Sequence, residues 1–184
     1  MYDWPGKRWG ISLSNDYDHL LRFAVTLNNA GNRREAQTVY QKAITMMPSR
    51  LMPYAYVPDS IHVFDAKKMT AFYHLMLSDV AKDEARVGKP SEAEKNLAKR
   101  LQEARLAVSI APNYAPAYLM LAEALEYQSQ RESVRKQPGG GEVAKREAAQ
   151  AYRRAATLGT GDTRAAAQKG LGGYWFADLG TAPR

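Results

Sequence analysis

Residues 17–50 read YDHLLRFAVTLNNAGNRREAQTVYQKAITMMPSR. Leu20, Phe23, Ala24 and Leu27 recur at three- and four-residue steps, which is the spacing of one helix face. Ala30-Gly31-Asn32 interrupts the pattern, with Gly31 placed to end a helix in the left-handed region. A second periodic run carries Ala36, Val39, Tyr40, Ala43 and Ile44, and Pro48 stops it. Two amphipathic helices joined by so short a turn pack antiparallel, as a helical hairpin. Ala24 and Ala36 stand where the two helices must touch, because only a small side chain lets backbones approach. Leu20 and Tyr40 are left to fill the space toward a neighbouring hairpin.

The same order returns from Ala115 onward. Tyr118, Leu121, Ala122 and Leu125 repeat the first-helix steps, and Pro116 falls in the first turn, where proline is tolerated. Ala148, Tyr152 and Ala155 repeat the second-helix steps. Ala122 and Ala148 are 26 positions apart against 12 for Ala24 and Ala36, so an insertion of 14 separates the two halves. It carries the break Pro138-Gly139-Gly140-Gly141, and the stretch 129–143 is expected to be a flexible loop. A longer hairpin lies between these copies. Asp65 can cap a helix over 66–87 whose face includes Met69, Phe72, Tyr73, Met76, Leu77 and Val80. Gly88-Lys89-Pro90 ends it, and Ser91 with Glu94 has the spacing of a capping box. The next helix carries Leu97, Leu101, Ala104, Ala107 and Val108 and closes before Pro112. Ala93 to Pro112 spans 19 positions against 12 from Ala36 to Pro48; the seven extra residues are about two turns, so the apolar face stays in phase. After Gly159-Thr160-Gly161, Asp162 or Thr163 can cap a last helix over 163–178. Residues 1–16, with Tyr2, Trp4, Pro5 and Trp9, read as an irregular arm. No alternating strand pattern competes.

This recurring order resembles the tetratricopeptide repeat, and residues 17–50 match the unit in length and order, with Leu20 in place of the usual aromatic and Phe23-Ala24 in place of Leu-Gly. Leu171, Gly172 and Trp175 resemble the first helix of a further repeat that caps the array. The resemblance implies an all-α fold of antiparallel hairpins at about 17–48, 66–112 and 115–159, stacked as a short right-handed superhelix. It also implies a concave groove lined by the first helix of each hairpin. Leu21, Val25, Asn28 and Asn29 would face it from the first copy, and Leu119, Glu123, Glu126 and Tyr127 from the copy at Ala115. Some members of the family grip a C-terminal carboxylate with Lys and Asn where Leu21 and Val25 stand here, so that specificity is not implied.

Composition narrows the chemistry. The 184 residues include no cysteine, which removes disulfides, thiol nucleophiles and cysteine metal sites. His19, His62 and His74 are scattered, without metal-ligand spacing, and no Gly-x-Ser-x-Gly elbow occurs. Gly159-Thr160-Gly161-Asp162 lacks both the lysine-serine pair and the preceding strand of a phosphate loop. No enzyme activity, cofactor or metal is therefore expected. The formal charge is +7, and residues 131–184 hold 10 basic against 5 acidic groups. Arg131, Arg135, Lys136, Lys145, Arg146, Arg153 and Arg154 form a basic group that offers an alternative partner, an anionic polymer or surface, although Glu132, Glu142 and Glu147 are interspersed. Tyr54 and Tyr56, between prolines, are a candidate recognition loop, and Tyr174, Trp175 and Phe176 a candidate docking or capping cluster. No window approaches a membrane span and the start has no signal-type apolar run, so a cytoplasmic location is expected. The reading of the sequence is a non-catalytic scaffold that binds a peptide or protein, with self-association through an exposed array end as a further possibility.

Overall fold

A computed structural model describes residues 17–47, 54–56, 65–134 and 141–173. Among them are seven helices and no strand: α1 Tyr17–Asn29, α2 Arg33–Thr45, α3 Ala66–Val87, α4 Pro90–Ile110, α5 Ala115–Val134, α6 Glu142–Leu158 and α7 Gly161–Gly172. The chain divides into two compact units. One comprises Met1–Met52 and Val57–Ala66 and contains α1 and α2; the other comprises Pro53–Tyr56 and Lys67–Arg184 and contains the remaining helices.

In the first unit α1 and α2 pack against each other. Gly31 sits at φ 82°, and its N–H donates to the Asn28 carbonyl at 3.0 Å while the Asn32 N–H reaches Leu27 O at 2.9 Å. These bonds satisfy carbonyls that the helix end would otherwise strand. Ala24, Ala36, Tyr40 and Ala43 have no exposed surface. The Asn32 amide donates to the Glu35 carboxylate across the start of α2.

The second unit is a succession of antiparallel neighbours. The Ser78 hydroxyl donates to Arg100 O at 2.9 Å, and His74 Nδ1 lies 2.7 Å from Glu103 Oε2. One turn forward on α3 thus matches one turn back on α4. α4 packs on α5, α5 on α6, and α6 on α7. The core between α5, α6 and α7 is Leu119, Ala122, Ala151, Tyr152, Ala155 and Ala167, with Tyr118, Leu121 and Leu171 around it. A second patch, Leu125, Ala144 and Ala148, receives Leu101 from α4. Alanines dominate because they let the helix axes approach. Gly170 shows the limit of that approach: a Cβ there would lie 2.8 Å from Tyr152 Cδ1 and closer still to Cε1 and Cζ.

Three expectations change. Of the stretch 129–143, residues 135–140 lie outside the described residues, while 129–134 are helical as the end of α5 and α6 begins at Glu142. Glu132 makes this possible: Oε1 accepts from Gln128 Nε2 at 2.6 Å and Oε2 from the Gly141 N–H at 2.9 Å. Helix α4 begins at Pro90 after Lys89, not after Ser91, because proline's fixed φ suits a first helical position. Helix α7 begins at Gly161 after Thr160, ahead of Asp162 and Thr163. The arm 1–16, Pro48, Pro138 and the aromatics Tyr174, Trp175 and Phe176 lie outside the described residues. No helix among the described residues is long and apolar enough to cross a membrane.

Candidate interaction groove

Helices α4 and α5 are longer than α1 and α2: 21 and 20 residues against 13 each. Between the middle of α4 and the second half of α5 lies an open groove of about 520 Å³. Leu97, Ala98 and Leu101 from α4 and Ala124 and Tyr127 from α5 give it an apolar floor. Tyr127 is 41% exposed, so its ring is both wall and accessible surface. The α4 side extends from Glu94 to Arg105, about 16 Å at 1.5 Å per residue.

Charges stand at the rim in balance. Glu94 and Glu132 are matched by Arg105 and Arg131. Arg131 Nη2 lies 3.9 Å from Glu94 Oε1, and Arg105 Nη2 lies 3.0 Å from Glu147 Oε2 on α6. Glu132 is held by Gln128 and Gly141 as described above.

Behind Tyr127 runs a buried polar chain. The Arg100 guanidinium carbon is 6.0 Å from the Tyr127 ring centre. Arg100 is 3% exposed; its Nη2 lies 3.9 Å from Glu123 Oε2 and its Nε has no hydrogen-bond partner. Glu123 Oε1 accepts a 2.8 Å bond from the Tyr54 hydroxyl. Burial pushes the Tyr54 phenol well above its ordinary pKa, and the Glu123 charge adds to that. Burial also raises the Glu123 carboxyl, against the lowering effects of the Tyr54 bond, Lys82 and Arg100. The Arg100 pKa is lowered by the same desolvation, which Glu123 and Asp79 oppose.

The residues singled out in the sequence separate on this geometry. Tyr127 and Arg131, drawn from the two rival site sets, meet in one groove. Glu123 and Glu126 are engaged within the chain, Glu123 by Tyr54 and Glu126 by the Tyr152 hydroxyl at 2.8 Å. Leu21 and Leu119 are corrected: they are 0% and 1% exposed, packing residues with no surface to offer a partner. Val25 and Asn28 are partly buried and Asn29 is exposed, all on α1 in the other unit. Tyr54 and Tyr56 are not a projecting recognition loop. Tyr56 is 7% exposed, edge-on to Tyr114 at 6.4 Å with Lys68 Nζ 5.6 Å from its ring centre, and the Tyr114 hydroxyl donates to Tyr54 O.

Of the basic group, Arg131 lies on α5 and Lys145, Arg146, Arg153 and Arg154 on α6. Lys145 Nζ lies 3.7 Å from Glu142 Oε1, and the Arg154 guanidinium stands 5.9 Å over the Tyr118 ring. Arg146 and Arg153 are exposed on α6, while Arg135 and Lys136 lie outside the described residues. Among the described residues no three His, Asp or Glu side chains are grouped as metal ligands. The α4 wall was missed as a site because Leu97 and Leu101 sit on the helix's core-facing period. The signal was the length of that helix, since extra turns in phase prolong an apolar stripe past its neighbour. Compared with family models, with curated proteins and with solved structures, the chain matches none.

Proposed function

We propose that this protein is a non-catalytic helical interaction scaffold of the tetratricopeptide kind, and that it takes a segment of a partner protein in the α4–α5 groove. The observation that carries the reading is the groove itself: an apolar floor, a half-exposed tyrosine and a charge-balanced rim. A central aromatic anchor surrounded by polar groups is how protein segments are gripped. A groove about 16 Å long suits about three turns of an amphipathic helix. The repeat assignment draws support from the register: Ala24, Ala36, Tyr40 and Ala43 are buried, and so are Ala122, Ala148, Tyr152 and Ala155 at the matching positions. Stacking of such hairpins into a right-handed superhelix is part of the same proposal.

Balanced rim charge favours a protein partner over a polyanion, which needs an excess of unpaired cations. The test is selection of amphipathic helical peptides from a displayed library on the immobilised protein. Affinities are then measured by fluorescence anisotropy for wild type and Tyr127→Ala, at low and high salt. The expected result is a loss of about tenfold or more in Tyr127→Ala, with weak salt dependence. Peptides that bind Tyr127→Ala as well as wild type overturn the groove. Tight binding of heparin or RNA that falls steeply with salt and disappears in Arg153→Ala/Arg154→Ala moves the function to the basic surface of α6.

A further inference from the structure

The Glu123 carboxylate is divided between two neighbours. Oε1 accepts the Tyr54 hydroxyl at 2.8 Å, and Oε2 faces Arg100 Nη2 at 3.9 Å. The latter distance is too long for a charge-assisted hydrogen bond, which closes to about 2.8 Å. The other carboxylate that acts on Arg100 is Asp79, also buried. Arg100 is itself buried, its Nε lacks a partner, and its backbone is fixed through the Ser78 bond to its carbonyl. Its guanidinium instead lies over the Tyr127 ring, the aromatic wall of the groove.

The geometry points to Tyr54 as a positioning residue for the groove: by holding one oxygen of Glu123, it keeps Arg100 shared between that carboxylate and the Tyr127 ring. Without the Tyr54 hydroxyl, Glu123 is free to turn both oxygens toward Arg100. A bidentate pair then forms at the expense of the stack on Tyr127. Tyr54 is itself well anchored, by the Tyr114 hydroxyl on its carbonyl and by packing against the core between α5, α6 and α7. Its ring therefore stays in place when only the oxygen is removed. The relay requires no contact between Tyr54 and a partner. It rests on the groove reading only for its consequence in binding.

Tyr54→Phe tests it against Tyr152→Phe, which also removes a tyrosine hydroxyl bonded to a carboxylate of α5, that of Glu126. The protein is prepared with ring-¹³C tyrosine, and the Tyr127 signals are assigned by their disappearance in Tyr127→Phe. The expected result is a shift of the Tyr127 ring signals in Tyr54→Phe that clearly exceeds the shift in Tyr152→Phe. In an Arg100→Met background Tyr54→Phe no longer moves them. Where Arg100→Met does not fold, the comparison of the two single variants decides alone. Unmoved Tyr127 signals in Tyr54→Phe, or equal shifts in both variants, overturn the proposal.

The measurement uses no ligand, so it separates the two ideas. A responding Tyr127 in a protein that binds no peptide sinks the groove and leaves the relay. An unresponsive Tyr127 in a protein that binds peptide through it does the reverse. Where both hold, Tyr54→Phe weakens groove-bound peptide about threefold, the scale of one exposed cation–π contact.

Discussion

Replacing Gly170 by alanine sets two effects against each other. Alanine favours a helix over glycine by about 1 kcal/mol, and α7 spans Gly161–Gly172, so the substitution gains up to that amount. Against it stands Tyr152, whose Cδ1 would be 2.8 Å from the new methyl, with Cε1 and Cζ nearer. The ring has little freedom to withdraw. It is 3% exposed, its hydroxyl is bonded to Glu126, and Leu119, Ala155 and Ala167 pack around it. Overpacking of this kind costs roughly 1–3 kcal/mol. Displacing the ring also endangers a hydrogen bond to a carboxylate, a contribution of roughly 1.5–3 kcal/mol. The packing loss wins, and the net destabilisation is about 1–3 kcal/mol. Gly172 is the internal reference, because nothing lies within 4 Å of a Cβ there and alanine is neutral or mildly stabilising. Urea unfolding followed by far-UV circular dichroism measures both. Hydrogen exchange on α7 is added, because a helix at the end of a packed series can open alone. With a slope of roughly 2 kcal/mol per molar urea, Gly170→Ala lowers the midpoint by about 0.5–1.5 M or loosens α7 selectively. In a Tyr152→Ala background the same substitution becomes neutral or favourable. The reasoning fails if Gly170→Ala stabilises the wild-type protein as Gly172→Ala does.

Three other outcomes follow from local geometry and charge. Gly141→Ala combines φ 87° with a Cβ 2.5 Å from Ser129 O and 2.7 Å from Ser133 Oγ, whereas Gly31→Ala has φ 82° and open space. Gly31→Ala should cost about 1 kcal/mol and Gly141→Ala clearly more, both read as urea midpoints. Burial raises the Glu123 carboxyl, so the folded protein keeps a proton that the unfolded chain loses near about pH 4.3. That stabilising contribution is complete below the unfolded value and is lost as pH rises through the folded one. Glu123→Gln should therefore gain stability relative to wild type as pH goes from about 4 to about 8, and a constant gap rules Glu123 out as the source. The raised Tyr54 phenol belongs among the tyrosines that resist alkaline titration in ultraviolet difference spectra and titrate normally in urea. In Tyr54→Phe the number of resistant tyrosines should fall by one.

Helix faces were legible because they are written locally. Ala24 with Ala36, and Ala122 with Ala148, are buried in the structure as the register of the sequence required. Gly31 lies in the left-handed region for the same local reason. The polar end of α5 was not legible. Gln128-Ser129-Gln130-Arg131-Glu132-Ser133 has no apolar face and reads as loop. What holds it is a set of side-chain bonds four residues apart, Gln128 to Glu132 and Ser133 to the Ser129 carbonyl, and the reach of Glu132 to Gly141. Tyr54 misled for the opposite reason. Its flanking prolines suggested exposure, yet its partner Glu123 lies 69 positions away, beyond any local pattern.

The groove is a product of added helix length, and this bears on the choice of partner. Two extra turns in α4 stay in phase with Ala104 and Ala107, so Leu97 and Leu101 continue an apolar stripe beyond the length of α1 and α2. The turns added to α5 carry Tyr127, Gln128, Arg131 and Glu132, so the opposite wall is aromatic and polar. The groove thus holds Arg105 and Arg131 with the two carboxylates that balance them, Glu94 and Glu132. A polyanion entering there gains Arg131 only by displacing Glu94 and Arg105 only by displacing Glu147, and it meets Glu132 as well. Each phosphate neutralised by a cation contributes close to one to the slope of log affinity against log salt. Any RNA binding by this protein should therefore keep its salt slope in Arg131→Ala and lose about two in Arg153→Ala/Arg154→Ala. A slope that falls by about one in Arg131→Ala would make the groove an anion site and overturn its assignment to a protein segment.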